Sequence, residues 1–139
     1  MANEHWDDPL PLPIPGYDHS RYAGPQLPLY DPDEPKKVDA IVQMLSQSTY
    51  LNMTSNRLYG SIPRMPERYP MTTEYYRRLF AGELGYTHVA TVASYPTLGP
   101  WTINDDAAEE AFTVYDHPKV LIYKKDADFS AQKVREMLA

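Results

Sequence analysis

The stretch that decides the fold is residues 72–95, "TTEYYRRLFAGELGYTHVATVASY". Its first half repeats apolar side chains at helical spacing, and Thr72 or Thr73 is suited to cap the start of such a helix. The apolar positions are Tyr75, Tyr76, Leu79, Phe80 and Leu84. Gly85 lies where a left-handed residue after a helix belongs. Residues 86–95 are rich in β-branched and aromatic residues, so a strand should follow the helix directly.

The preceding segment predicts a second helix–strand pair. Residues 31–48, "DPDEPKKVDAIVQMLSQS", offer Asp33 as a candidate cap and Pro35 in the first turn. The apolar stripe of this helix is Val38, Ile41, Val42 and Leu45. Residues 49–55, "TYLNMTS", favour a short strand. The order helix, strand, loop, helix, strand is typical of half of a parallel α/β sheet.

The C-terminal part adds a hairpin and a last helix. Residues 111–125, "AFTVYDHPKVLIYKK", predict strands at 112–115 and 119–124 joined by a turn. Residues 128–139 predict a helix capped by Ser130. The expected fold class is α/β, with a small mixed sheet that has a βαβ centre, an antiparallel edge hairpin, and two or three flanking helices.

The N-terminal part is rich in proline, which fixes φ and removes a hydrogen-bond donor. It can therefore form neither a helix nor a central strand, but its Leu, Ile, Trp and Tyr residues are too apolar for a solvated tail. We expect a proline-rich extended arm over residues 1–34 that lies along an α/β domain over residues 35–139.

Composition excludes several classes of function. The 139 residues suffice for one domain, and the absence of cysteine excludes disulfides and thiolate chemistry. A net charge of −6 argues against a nucleic-acid partner. No apolar run approaches the ~20 residues that span a bilayer. We expect no cofactor and no metal.

The most unusual stretch is residues 55–70, "SNRLYGSIPRMPERYP", which its prolines predict to be irregular. Ligands of α/β units usually bind at the loop between a strand's carboxyl end and the next helix. Arg57, Arg64 and Arg68 could hold a phosphate or carboxylate beside the helix N-terminus, with Tyr59 and Tyr69 as aromatic walls. In the alternative interpretation, the arginines pair with the chain's own carboxylates and the loop is structural.

Other clusters of reactive side chains are weaker candidates. These are His5 to Asp8 in the proline-rich arm, the acidic residues of "NDDAAEE" at 104–110, His88 and His117. Surface or structural roles are commoner for such residues, and the G-x-S-x-G motif of hydrolases is absent. We therefore expect no catalytic residue in this chain.

Two blocks carry a resemblance, residues 55–86, "SNRLYGSIPRMPERYPMTTEYYRRLFAGELGY", and residues 94–125, "SYPTLGPWTINDDAAEEAFTVYDHPKVLIYKK". Over about residues 3–135 the chain resembles a soluble segment of large polytopic membrane proteins. These are relatives of GT-C glycosyltransferases, the class of the dolichyl-phosphate-mannose–protein mannosyltransferases, and include a membrane family named for a run of three tyrosines.

The resemblance implies a non-catalytic domain on the extracytoplasmic face of the cell membrane, within an integral membrane protein that is a glycosyltransferase. The implied partners are the transmembrane remainder of the same polypeptide, the membrane surface and a polyprenyl-phosphate sugar. Two alternatives stay open. One is a free-standing binding module for an acidic or phosphorylated small molecule, and the other is a purely structural interaction domain.

Overall fold

The computed structural model describes residues 2–4, 25–54, 56–104, 107–108 and 119–139. The helices are α1 (Pro35–Gln47), α2 (Arg57–Ser61), α3 (Pro70–Phe80) and α4 (Ala131–Leu138), with a 3₁₀ turn at Ile62–Arg64. The strands are β1 (Ala2–Asn3), β2 (Tyr50–Met53), β3 (Tyr86–Ala93), β4 (Thr97–Leu98), β5 (Trp101–Thr102) and β6 (Lys119–Lys125). This mixture of helices and strands confirms the predicted α/β class.

The main sheet has four described strands in the order β1-β2-β6-β3, while β4 and β5 form a separate pair. Strand β1 is parallel to β2, and β6 is antiparallel to both β2 and β3. Strands β2 and β3 therefore run parallel to each other with β6 between them.

The interior place of β6 corrects the expected edge hairpin. Residues Tyr50–Met53 of β2 pair with one edge of β6 and residues of β3 pair with the other, so β6 is an interior strand. The first strand of that hairpin, predicted at 112–115, lies outside the described residues.

One hydrophobic core joins the helices to the sheet. The apolar stripe predicted for α1 is buried, and alternate residues of β2, Leu51 and Met53, are buried with it. Tyr75, Tyr76 and Leu79 of α3 complete the centre at 0–1% exposure. Leu27 and Leu29, which precede the expected boundary at residue 34, belong to the same core. The division into arm and domain stays a prediction.

The ends of α3 differ from the sequence-based expectation. The helix begins at Pro70, whose missing N–H costs nothing at a first helical position, so neither Thr72 nor Thr73 is its cap. Gly82, with φ of 73°, terminates it. The Gly82 and Glu83 amides donate to the carbonyls of Leu79 and Arg78 at 3.1 and 2.9 Å, which is the Schellman arrangement. The glycine that ends the helix is therefore Gly82 and not Gly85.

We predict that Gly82→Ala lowers the free energy of unfolding by about 1–2 kcal/mol, because a Cβ is strained at this positive φ. Gly60→Ala is the matched control, since Gly60 lies in α2 and an added Cβ there meets no atom within 4 Å. It should be neutral or stabilising. Urea denaturation of both variants measures the difference, and equal destabilisation would contradict this account of the α3 terminus.

A buried lysine ties α1 to α3 and to the segment before α1. Lys37 is 3% exposed, and its ammonium group donates to the carbonyls of Leu29 (3.0 Å) and Asp31 (2.6 Å). Asp33 Oδ1 and Thr72 Oγ1 each lie 2.7 Å from the same nitrogen, so its three N–H groups are shared among four acceptors. Such a charge is tolerated in a core only when it is paired and fully hydrogen-bonded.

Asp33 does not cap α1 as predicted. The residue at that cap is Glu34, and its side chain makes no capping hydrogen bond. Asp33 Oδ2 instead accepts the Met71 N–H of α3 at 2.7 Å, while Oδ1 is held by Lys37. The Lys37 ammonium orients the carboxylate toward α3 and away from its own helix.

We predict that Lys37→Met destabilises the protein by about 3–5 kcal/mol, because the buried Asp33 carboxylate loses its counter-charge. Lys36→Met is the control, since the Lys36 side chain is 84% exposed and its ion pair with Glu34 should contribute less than about 1 kcal/mol. Thermal and chemical denaturation check both values. A loss at Lys37 no larger than that at Lys36 would contradict the role of this network.

Candidate functional site

The stretch predicted to be irregular contains a short helix, α2, followed by the 3₁₀ turn at Ile62–Arg64. This corrects the expectation for residues 55–70. Both segments form because the prolines are compatible with them: α2 ends before Pro63, and Pro63 lies in the first turn of the 3₁₀ segment, where its missing donor is not needed. Ser61 Oγ donates back to the Arg57 carbonyl at 2.5 Å.

Helix α2 separates two adjoining cavities that share Arg57 and Ser61. The larger has a volume of about 790 Å³ and lies between α2, Glu4 and the segment Gln26–Asp31. The smaller, of about 310 Å³, is lined by Arg57, Arg64 and Ala107 together with Asn56, Gly60, Ser61 and Ala108. The larger volume lies within the range of roughly 300–1,000 Å³ that is usual for small-molecule sites.

The structure brings together two of the three predicted arginines. Arg57, at the start of α2, and Arg64, at the end of the 3₁₀ turn, line the smaller cavity. Within the described part of the chain, no acidic side chain forms an ion pair with Arg64 or Arg68. Arg68 is exposed and its guanidinium lies over the Tyr69 ring, 5.2 Å from the centroid. The three guanidinium groups therefore do not form one cluster.

Both tyrosines that were predicted to be aromatic walls pack against other rings, and Tyr69 is more deeply buried than Tyr59. Tyr69 is 4% exposed, and its ring lies against Tyr30 at 5.5 Å between centroids. Its ring is covered, so the predicted stacking role of Tyr69 is corrected. Tyr59 is half-buried, with edge contacts to Tyr76 and Phe80 at 6.5 and 5.7 Å. A ligand contact by Tyr59 stays a prediction.

The helix N-terminus that was expected to attract an anion already holds one. Asp33 Oδ2 accepts the Met71 N–H in the first turn of α3. A carboxylate at this position uses the free backbone donors and the favourable end of the helix dipole. An external anion would have to displace Asp33 from α3, so the α3 terminus is not part of the candidate site. The cationic surface at Arg57 and Arg64 remains.

Glu4 is the polar residue of the larger cavity that the sequence did not indicate. It is 1% exposed, and the Tyr75 hydroxyl donates to its Oε1 at 2.6 Å. Burial raises the pKa of Glu4 to about 8, against the smaller lowering effects of the Tyr75 and Tyr76 hydroxyls. Oε2 and the Tyr76 hydroxyl are both enclosed near each other, but neither makes a well-aligned hydrogen bond among the described residues. Glu4 is therefore mostly a neutral carboxylic acid near pH 7.

The remaining sequence candidates contribute little to this site. His5 to Asp8, His117 and the acidic residues Asp105, Asp106, Glu109 and Glu110 lie outside the described residues. His88 is exposed, and its Nε2 lies 2.9 Å from Thr91 Oγ1. The described segments contain no group of three or more His, Asp or Glu side chains that could hold a metal ion. None of their helices has the length and apolar character needed to cross a membrane.

Sequence reasoning missed Glu4 and Lys37 for different reasons. The burial of Lys37 could have been predicted from the sequence, because Lys37 shares a helical face with Ile41 and Leu45 at i, i+4 and i+8. A lysine on an apolar stripe predicts burial with a partner. The burial of Glu4 could not have been predicted in this way, since it depends on the pairing of β1 with β2, a contact between residues about 50 positions apart.

The chain was compared with known proteins at three levels. It matches no family model, no curated protein and no solved structure.

We predict that stability falls as the pH rises from about 5 to about 8, at no more than about 1.4 kcal/mol per pH unit, and then levels off. The folded state keeps a proton on Glu4 through most of this window, while the unfolded chain releases it above the ordinary glutamate pKa of 4.5. The titratable groups that face this carboxyl are Tyr75, Tyr76 and Tyr123, and each has a raised pKa.

Denaturation curves at several pH values measure this slope. Glu4→Gln should flatten the pH dependence, because the amide cannot ionise. Glu67→Gln, which removes an exposed carboxyl, should leave the wild-type slope unchanged. A Glu4→Gln slope equal to that of the wild type would show that Glu4 is not the titrating group.

Proposed function

We propose that this chain is a non-catalytic domain on the extracytoplasmic face of a membrane-bound glycosyltransferase-like protein, and that α2 and the following 3₁₀ turn contact a phosphate-bearing ligand. The partners of this domain are the transmembrane remainder of the same polypeptide and the membrane surface. A polyprenyl-phosphate sugar is the ligand class that combines the expected chemistry with this location.

The main support for the ligand contact is that Arg57 and Arg64 both line the smaller cavity. Guanidinium groups recognise phosphate through paired, charge-assisted hydrogen bonds. The chain has a net charge of −6, but the described residues that line this cavity include two arginines and no acidic residue. The cavity is therefore positively charged within an acidic protein. The membrane location is supported by the resemblance of residues 55–86 and 94–125.

A purely structural role is the second candidate, and the surroundings of Arg68 and Tyr69 favour it for that part of the loop. The Arg68 guanidinium stacks on a ring that is itself in the core, so this arginine covers Tyr69. Its packing contrasts with the cavity position of Arg57 and Arg64. The contrast makes Arg68 a natural internal control.

We predict that inorganic phosphate and geranyl phosphate bind the domain, and that Arg57→Gln and Arg64→Gln each weaken binding about tenfold, because each removes a charge-assisted contact. Arg68→Gln should leave the affinity unchanged. Isothermal titration calorimetry measures the affinities, and thermal denaturation verifies that each variant is folded. Absence of binding at millimolar phosphate, or an equal loss in Arg68→Gln, would overturn the proposed contact.

The location is tested separately in cells that express the native gene. Membrane fractions should contain residues 35–139, detected with an antibody to this domain, and protease added to intact cells should degrade them. Recovery of the domain in the soluble fraction only would contradict the membrane assignment. It would favour the free-standing binding module if phosphate still bound.

A further inference from the structure

Strands β4 and β5 form a hairpin that is separate from the main sheet. Across the hairpin, Leu98 pairs with Trp101 and Thr97 pairs with Thr102. Gly99, the first residue of the two-residue turn, has φ of 62°, which a type II′ turn requires at that position. The turn therefore fixes the register of the two strands.

This register gives the hairpin one apolar face. Residues directly opposite each other in an antiparallel pair share a face, so Leu98 and Trp101 project on one side and the two threonines on the other. The Ile103 N–H donates to the Pro96 carbonyl at 2.9 Å, which continues the register and adds both residues to the apolar side.

The apolar face of the hairpin is exposed. Leu98 and Trp101 are each 74% exposed, and Ile103 is 50% exposed. A two-stranded hairpin is at best marginally stable in water unless its apolar face packs on another element. Within the described part of the chain, no third strand pairs with this hairpin. A partner surface is therefore expected to cover it.

The charge of the surrounding sequence indicates which partner fits. Residues 86–104 contain no Asp, Glu, Lys or Arg, although the chain has a net charge of −6. An anionic lipid surface is recruited by lysine and arginine, and a basic protein is recruited by acidic residues, so this stretch attracts neither. Two copies of an acidic chain, in contrast, repel each other least where their surfaces are uncharged. The charge pattern therefore favours a second copy.

The size of the exposed face fits a weak contact between two copies. Leu98, Trp101 and Ile103 together expose on the order of 300 Å² of apolar surface. Two such faces bury about twice that area, which is below the roughly 1,200 Å² of stable interfaces and within the range of transient ones. Val89 and Val92, in the same uncharged stretch, are also exposed.

We propose that the apolar face of the β4–β5 hairpin binds the same face of a second copy of this chain. A two-fold arrangement places Trp101 of each copy on Leu98 of the other, so a large ring meets a smaller aliphatic side chain in both halves of the contact. The side chains of this face do not line the arginine-lined cavity. The inference therefore goes beyond the proposed function and does not depend on it.

Sedimentation equilibrium of the folded chain, from about 10 μM to about 1 mM, measures self-association over the range of a transient interface. We expect the mean mass to rise toward that of a dimer, with a Kd on the order of 0.1 mM. Trp101→Lys should weaken association at least about tenfold, because it places an unpaired charge in both halves of the contact. Tyr50→Lys makes the same change at a 40% exposed tyrosine on β2 and should leave association unchanged.

A second variant tests the two-fold arrangement itself. Leu98→Glu alone should be as monomeric as Trp101→Lys alone. A mixture of the two should associate more tightly than either, because the mixed pair joins lysine to glutamate in one half and keeps the wild-type contact in the other. Thermal denaturation verifies that each variant is folded, and Leu98→Glu carries the test if Trp101→Lys does not fold.

A wild-type chain that stays monomeric up to about 1 mM would overturn this inference and leave the proposed phosphate contact intact. An equal loss in Tyr50→Lys, or a mixture no tighter than the separate variants, would also overturn it. Binding to phosphatidylcholine vesicles that Trp101→Lys abolishes, without self-association, would assign the hairpin to a lipid surface instead.

Discussion

The contacts of the Lys37 ammonium group, whose three N–H groups are shared among four oxygen atoms, are the constraint on which the rest of the structure depends. They join the backbone of the segment before α1 at Leu29 and Asp31, the Asp33 carboxylate, and the Thr72 hydroxyl of α3. A buried charge is strongly destabilising when one partner is removed, so these groups hold one another in place. The segment fixed in this way is also one side of the larger cavity.

This network also decides where an anion can bind. It turns Asp33 toward α3, where Oδ2 occupies the helix N-terminus through the Met71 N–H. The most favourable anion position of the loop is thereby filled by the protein's own carboxylate. Arg57 and Arg64 line the smaller cavity, next to a cavity whose buried acid, Glu4, is mostly uncharged near neutral pH. The smaller cavity is therefore the position that we propose for the phosphate.

Local patterns predicted the elements well, and long-range pairing limited the rest. The stripe of α1, the strands β2 and β3, and the Ser130 cap of α4 follow from helical spacing, β-propensity and capping chemistry, and the structure confirms them. The partner of Asp33 could not be predicted, because Met71 is 38 positions away in the sequence and only tertiary packing brings the two residues together. The burial of Glu4 also depends on tertiary packing, so the sequence could not predict it. Tertiary packing likewise places Arg68 over Tyr69, while Arg57 and Arg64 line a cavity, although all three arginines lie within residues 55–70.

The most direct test of this account is an NMR titration of the wild-type domain with inorganic phosphate, followed at the backbone amides. The account predicts chemical-shift changes at residues 57–64, around the arginine-lined cavity, and none at Met71 and Thr72, because Asp33 already occupies the start of α3. Shifts concentrated at Met71 and Thr72, with residues 57–64 unmoved, would show that phosphate displaces Asp33 and would contradict the account.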